Sequence, residues 1–422
     1  MLPNLKNLKL TALVNHLLML INKNLGVLIY AGLMLLMIFM MPLYGDPAIV
    51  VWSSKITAKT GFAYDPACSR NIIVAQKMMT TELCVRSPLY YMLLAVAGTF
   101  YKVIPALLFI TFITLQYYLA RLNRSNLDVF GLMFPPVYLL FTRTYVDTLT
   151  ATLMTALLLT LTNNDRQNKS LHRIFLFVIL LLIVLARESA VALPLFLIIL
   201  FITSSELKKT NLLIAFLGYI LGLVSWQFYV SLSGGASYSD FQPHIPTAIE
   251  AYKVLMTTIT PILPWEIQPQ DIPAYVNIPL IGSLHPLIVL SVHLLGILAF
   301  IPLLFSLVYL KHVNKLVLSQ IIFGLVVAAG LLFLKGDIDF FRHLAFLIPT
   351  IPLLVGKGLE EIRTWNKWMS FLIKTAYVLL FVLYFARTVR LYMAGYSFDP
   401  CQYLLKRPEI SFIAYFYETA CA

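Results

Sequence analysis

The feature that most constrains this chain is the recurrence of long, nearly charge-free stretches separated by short polar ones. Such runs occupy residues 25–44, 103–122, 127–142, 146–162, 174–186, 189–203, 211–231, 287–310, 316–334, 343–355 and 369–388. A helix needs roughly 20 apolar residues to cross a bilayer, and shorter runs are accommodated by tilt or by burial against neighbours. Backbone polar groups have no water to bond in hydrocarbon, so a spanning segment is a helix or part of a closed barrel. Strand-type alternation is absent, which leaves the helix. The expected fold class is therefore all-α: a polytopic transmembrane helical bundle of about eleven spans, within a range of roughly 10–13, with external loops carrying short interfacial helices.

Composition agrees with that reading. Hydrophobic residues make up 60% of the 422 and charged residues 12%, against an apolar share of about 45–50% in soluble domains. The net charge of +12 is spread over many loops and lines no single face, so it reads as a topology signal and not as a nucleic-acid footprint. Residues 1–24 place Lys6, Lys9 and Lys23 among leucines spaced like one helical face. This predicts a cytoplasmic amphipathic segment lying on the membrane, followed by an uncleaved anchor.

Residues 88–101 are apolar but too short to span, which makes them a re-entrant or interfacial helix or one further crossing. If they do not cross, the short basic loops at 121–124, 166–173, 208–209, 311–315 and 357–367 all share the cytoplasmic side with the basic N-terminus, as the positive-inside rule requires. The domain plan is then a membrane module over 25–231 with an external catalytic loop at 45–87, an external loop at 232–286, C-terminal spans over 287–390 and an external tail at 391–422. All four cysteines, Cys68, Cys84, Cys401 and Cys421, fall in the first loop and the tail. An even count confined to the external side predicts two disulfides in an oxidising compartment, with pairing within each segment favoured over pairing across them.

Charges at the membrane edge are costly and mark candidate function. Asp46 is the first acidic residue of the chain and follows an apolar run directly. The same outer edge collects Glu82 with Arg86, Arg143 with Asp147, Arg187 with Glu188, and the run Lys335, Asp337, Asp339, Arg342 and His343. Carboxylates there can take a proton and cations can hold a phosphate. Asp337 and Asp339 have the spacing of a metal-binding pair and equally of two acids at a helix end, so divalent-metal use stays open. No glycine-rich phosphate loop, His-Glu-x-x-His, Cys-x-x-Cys or Gly-x-Ser-x-Gly occurs, so any chemistry rests on dispersed carboxylates.

Four stretches, in this order, resemble the GT-C glycosyltransferases, and most nearly the protein O-mannosyltransferases and the lipid A aminoarabinose transferases. Tyr44-Gly45-Asp46-Pro47 matches the place of the first-loop catalytic acid. Arg86-Ser87-Pro88-Leu89-Tyr90 is similar to a basic-Pro-Pro-Leu-x-Tyr segment, with Ser87 in place of a proline. Thr144-Tyr145-Val146-Asp147-Thr148-Leu149 resembles a later acid motif, and Phe341-Arg342-His343-Leu344 through Pro349 resembles an Arg-Tyr-x-Leu-x-x-x-Pro span, with His343 for tyrosine. The resemblance implies a multi-pass protein of a bacterial inner membrane, with its site on the periplasmic or external side. Its donor is a polyprenyl-phosphate-linked sugar, its acceptor a glycan, lipid or protein hydroxyl, and its surroundings membrane lipids. Asp46, Asp147 and Glu82 are the implied catalytic acids, and Arg86, Arg342, Arg187 and Lys335 the cations available for donor phosphate. Tyr90, Glu188 and His343 are the candidate pocket residues. Two other classes fit a chain of this composition: a transporter or flippase for a lipid-linked or small solute, and a scaffold without transfer activity. Transporters carry charges near mid-membrane on repeated halves, whereas here the acids cluster at one edge and no repeat is visible.

Overall fold

The computed structural model describes residues 24–43, 45–66, 83–123, 125, 127–163, 169–203, 209–237, 247, 286–309, 315–335, 344–395, 398–406 and 414–421. The first half runs α1 (Asn24–Met40), α2 (Asp46–Thr60), β1 (Cys84–Val85), α3 (Pro88–Ala97), α4 (Val103–Leu122), α5 (Val129–Leu132), α6 (Pro135–Thr142), α7 (Val146–Thr162) and α8 (Lys169–Ala186). It continues with α9 (Leu193–Thr203), α10 (Lys209–Ser233), β2 (Ala236–Ser237), α11 (Pro286–Tyr309), α12 (Lys315–Lys335), α13 (Ile351–Trp365), α14 (Lys367–Met393), α15 (Pro400–Leu405) and α16 (Ala414–Cys421). Among the described residues α4, α10 and α14 are long and apolar enough to cross a membrane, and seven shorter apolar helices accompany them.

Two runs expected as single spans are broken, and proline is the cause in both. Over 127–142 the chain forms α5 and α6, because Pro135 and Pro136 cannot continue a helix and Phe134 before them is extended (φ −61°, ψ 129°). Over 343–355 a short turn at 344–350, containing Pro349, precedes α13, which has Pro352 in its first turn. α13 then runs on to Trp365, so most of the basic stretch 357–367 is helical and not a loop. Non-helical backbone within apolar surroundings needs hydrogen-bond partners, and neighbouring helices supply them. The Tyr30 hydroxyl donates to the Leu132 carbonyl at 2.7 Å, Gln116 Nε2 to that of Pro349 at 2.9 Å, and Gln320 Nε2 to that of Phe346.

The bundle has two adjoining cores. One gathers α1, α4, α6, α11, α13 and α14 around Tyr30, Phe109, Tyr138, Ile351 and Tyr377. The other gathers α7, α8, α9, α10 and α12 around Leu158, Ile183, Phe196 and Phe323. Close crossings use small residues, as is usual where lipid supplies no hydrophobic drive. Gly218 of α10 lies against the backbone of Phe177 in α8, and Gly358 of α13 against that of Pro302 in α11; a methyl group at either would collide.

A cap covers one end of the bundle. β1 pairs in parallel with β2, joining Cys84 to Ala236 and Val85 to Ser237, while Tyr64 bridges Val85 from the other side. Trp52 and Ile56 of α2, Tyr64, Val85, Trp226 and Val230 of α10, Leu404 of α15 and Phe416 of α16 form the cap's own apolar core. The expected loop 45–87 thus begins as a 15-residue helix that is largely buried. A disulfide joins Cys401 to Cys421. Cys84 is also disulfide-bonded, while Cys68 lies outside the described residues.

α3 has both ends at the capped end of the bundle. The Ser87 amide, just before it, donates to Glu188 Oε1 beyond the end of α8 at 2.7 Å. Lys102, just after it, donates from Nζ to the carbonyls of Phe39 and Met41 at the end of α1, the latter at 3.0 Å. Leu89 and Tyr101 pack on the same small apolar cluster.

Candidate active site

The site assembles at the capped end from helix termini. α1 stops at Met40, and its last carbonyls are satisfied by Lys102, a cation where the helix dipole favours one. The link to α2 is tied again by the Phe398 amide, which donates to the Leu43 carbonyl at 3.1 Å. Gly45 then turns with φ 56°, a left-handed conformation open to glycine, and α2 begins with Asp46 followed by Pro47. Asp46 is exposed and lies in the first helical turn, where a carboxylate complements the dipole.

Three further elements bring charges to the same end. The strap after β1 carries Arg86, whose Nε and Nη2 both meet Asp65 Oδ2 at 2.5 Å. Asp147, in the first turn of α7, forms an ion pair with Arg187, which follows α8; both side chains are nearly inaccessible. The Arg187 guanidinium also lies 6.0 Å from the centre of the Phe346 ring. Arg143, buried between α6 and α7, donates from Nη1 to the Tyr145 hydroxyl at 3.0 Å. Removing such ions from water costs several kcal/mol each, so a buried pair is weak as a stabilising device and more telling as a means of placing charge.

One cluster of apolar side chains adjoins Asp46, Arg86, Asp147 and Arg187. Val50 of α2, Tyr90 and Tyr91 of α3, Leu149 of α7 and Ala186 of α8 pack together, with Ala63 from the segment that precedes Asp65. Val50 is one turn beyond Asp46, Tyr90 four residues beyond Arg86, Leu149 two residues beyond Asp147, and Ala186 directly before Arg187. The charged residues are therefore anchored to a common floor, although they lie on or beside four separate helices. Tyr90 is fully buried there, against Thr148.

No protein-family model matches the chain, and no curated protein matches it by sequence. Solved structures do match. ArnT from Cupriavidus metallidurans in the apo state superposes with a TM-score of 0.54 at 13% identity, covering 94% of this chain and 76% of that one. The same protein bound to undecaprenyl phosphate gives 0.52 at 14% identity, over 94% of this chain and 74% of the other. The chain has the fold of ArnT. Apart from the β1–β2 pair, its described residues form the helical bundle of a polytopic membrane protein.

Within this ArnT-like bundle the sequence-derived candidates divide cleanly. Asp46, Arg86, Tyr90, Asp147, Arg187 and Glu188 all belong to the elements on the common floor or adjoin them. Lys335 ends α12. Glu82, Asp337, Asp339, Arg342 and His343 lie outside the described residues. Among the described residues no group of three or more histidine, cysteine, aspartate or glutamate side chains gathers as a metal site, and the pair Asp337 and Asp339 is not among them.

The sequence reading missed three residues at this end. Asp65 is buried against Arg86, Lys102 ties α1 to α4, and Arg387 is buried near the capped end of α14, one turn beyond the Tyr384 hydroxyl that bonds Thr142 Oγ1 at 2.9 Å. Asp65 had a legible signal: it precedes Pro66 as Asp46 precedes Pro47. A cation inside the apolar run of α14 was equally visible at Arg387.

Proposed function

We propose that this protein is an integral membrane glycosyltransferase that moves a sugar from a polyprenyl-phosphate donor to an acceptor hydroxyl on the external side of the membrane. The observation that carries the reading is the convergence of Asp46, Arg86 and the Asp147–Arg187 pair on one apolar floor at one end of an ArnT-like bundle. Undecaprenyl phosphate bound to the structural neighbour supplies the class of lipid. A donor whose tail stays in the membrane presents its phosphate at the membrane edge, which is where these helix ends lie.

In this reading Asp46 is the general base, since its carboxylate is exposed in the first turn of α2 whereas that of Asp147 is buried with Arg187. Its carboxylate takes the proton of the acceptor hydroxyl as that oxygen attacks the anomeric carbon. The bond from that carbon to the phosphate oxygen breaks, the electron pair leaves with the polyprenyl phosphate, and the configuration inverts. Arg86 and Arg187, with Arg342 and Lys335 from the resembling motif and its flank, stabilise the leaving phosphate; a guanidinium fork suits that geometry. Asp147 keeps Arg187 oriented, and Glu188 holds the strap through the Ser87 amide.

The test is to incubate the purified full-length protein with polyprenyl-phosphate sugars and a panel of glycan, lipid and peptide hydroxyl acceptors. Transfer with release of polyprenyl phosphate is the expected result. Binding of the lipid with movement across a vesicle membrane and no bond cleavage would assign it to transport instead.

A further inference from the structure

The buried carboxylate of Asp65 has no part in the reaction just described, yet it bonds one of its cations. We infer that Asp65 is a positioning residue that fixes the Arg86 guanidinium for the donor phosphate, an inference that rests on the proposed function. The first ground is the division of exposure within the pair: the Arg86 side chain retains 23% of its surface and that of Asp65 only 2%. A ligand arriving at the pair meets the cation and not the acid.

The second ground is that the backbone does not need this contact. The Asp65 amide donates to the Cys84 carbonyl and the Arg86 amide to the Ala63 carbonyl, both at 2.9 Å, and Tyr64 bridges Val85 between them. β2 pairs with β1 on the other side, and Glu188 takes the Ser87 amide. The strap is therefore registered by main-chain bonds on both sides of Arg86, and what the ion pair adds is the direction of the side chain. Two guanidinium nitrogens on one carboxylate oxygen fix the plane of the group from its side edge. A long flexible cation held in one orientation gives up less freedom when a phosphate binds, and misplacement by about 1 Å can cost as much as a hundredfold in rate.

The test compares wild type, Asp65→Asn, Arg86→Gln and the double variant of the full chain. It measures binding of polyprenyl phosphate without sugar, kcat and KM for the sugar donor, and melting temperature. Asp65→Asn is expected to weaken lipid-phosphate binding and raise donor KM about tenfold while kcat changes less, and to add nothing once Arg86 is gone. An Asp65→Asn effect that persists at full size in the Arg86→Gln background, or a lower melting temperature with unchanged affinity, overturns the inference. If Asp65→Asn does not fold, Asp65→Glu carries the test: it keeps the charge but displaces the guanidinium by one methylene. Several-fold weaker binding at an unaltered melting temperature supports the role, and wild-type affinity overturns it. Wild-type protein that neither binds the lipid phosphate nor uses the donor overturns the proposed function and this inference together. Wild-type binding with Asp65→Asn unchanged removes only the role of Asp65.

Discussion

Asp46 and Asp147 are both acids in the first turn of a helix, but they stand in opposite circumstances, and substitution separates them. Asp46 is exposed beside a turn held by Gly45 and the Leu43–Phe398 bond, so Asp46→Asn leaves the packing intact. Transfer is expected to fall about 10²–10⁴-fold at an unchanged melting temperature, measured on purified protein with a polyprenyl-phosphate donor. Arg187 is buried with Asp147, so Arg187→Leu strands a carboxylate out of water and should cost about 3–5 kcal/mol of stability. A fall in melting temperature of similar size in the two variants would contradict this assignment. Both acids were legible in the sequence because each abuts an apolar run. Their partners were not: Arg187 lies 40 positions from Asp147 and is adjacent to Glu188, so the sequence offers a false local pair. Only the antiparallel packing of α7 and α8 reveals the true one.

At the scale of elements, hydropathy placed α4 and α7 to the residue and α10, α11, α12 and α14 to within a few positions, since charge-poor runs report span length directly. It failed at 127–142 and 343–355, where prolines coincide with a break in the helix, because hydropathy averages over such a break; Pro302 lies inside α11 without ending it. The polar side chains that make those breaks tolerable, Tyr30 and Gln116, are 102 and 233 positions from the carbonyls they serve. The tail gives a prediction at this scale. α15 and α16 are stapled by Cys401–Cys421, and Phe416 and Tyr403 pack against Trp52 of α2, whose Nε1 donates to Thr419 Oγ1 at 3.3 Å. The helix that begins with Asp46 is thus clamped by the end of the chain. Replacing Cys401 and Cys421 by serine removes a closure of about 20 residues, worth about 3 kcal/mol. The expected outcome is faster tryptic cleavage after the exposed Lys406 in the double serine variant, and in wild type after reduction, but not in oxidised wild type. Equal cleavage rates in all three would show that the clamp does not depend on the disulfide.

For the whole molecule the decisive issue is which helices cross, and α3 carries it. Composition leaves residues 88–101 undecided, and every later loop changes side with the answer. The packing speaks for no crossing, since Ser87 before α3 and Lys102 after it are bonded to helix ends at the capped face, and Leu89 and Tyr101 share one apolar cluster. From α2 to the end of α7 the chain then runs inward along α4, back along α5 and α6, and inward again along α7. On that topology Lys59, exposed near the end of α2, and Asn163, exposed just beyond α7, belong to opposite sides of the membrane. No free cysteine occurs among the described residues, so a thiol introduced at either place gives the principal signal for a membrane-impermeant reagent applied to oriented cells. Lys59→Cys is expected to react from outside, and Asn163→Cys only after the membrane is opened, which also sets the short basic loops on the cytoplasmic side. Reaction of both from the same side would mean that α3 crosses, and the cap, Asp46 and Arg86 would then no longer share a membrane face with Asp147 and Arg187.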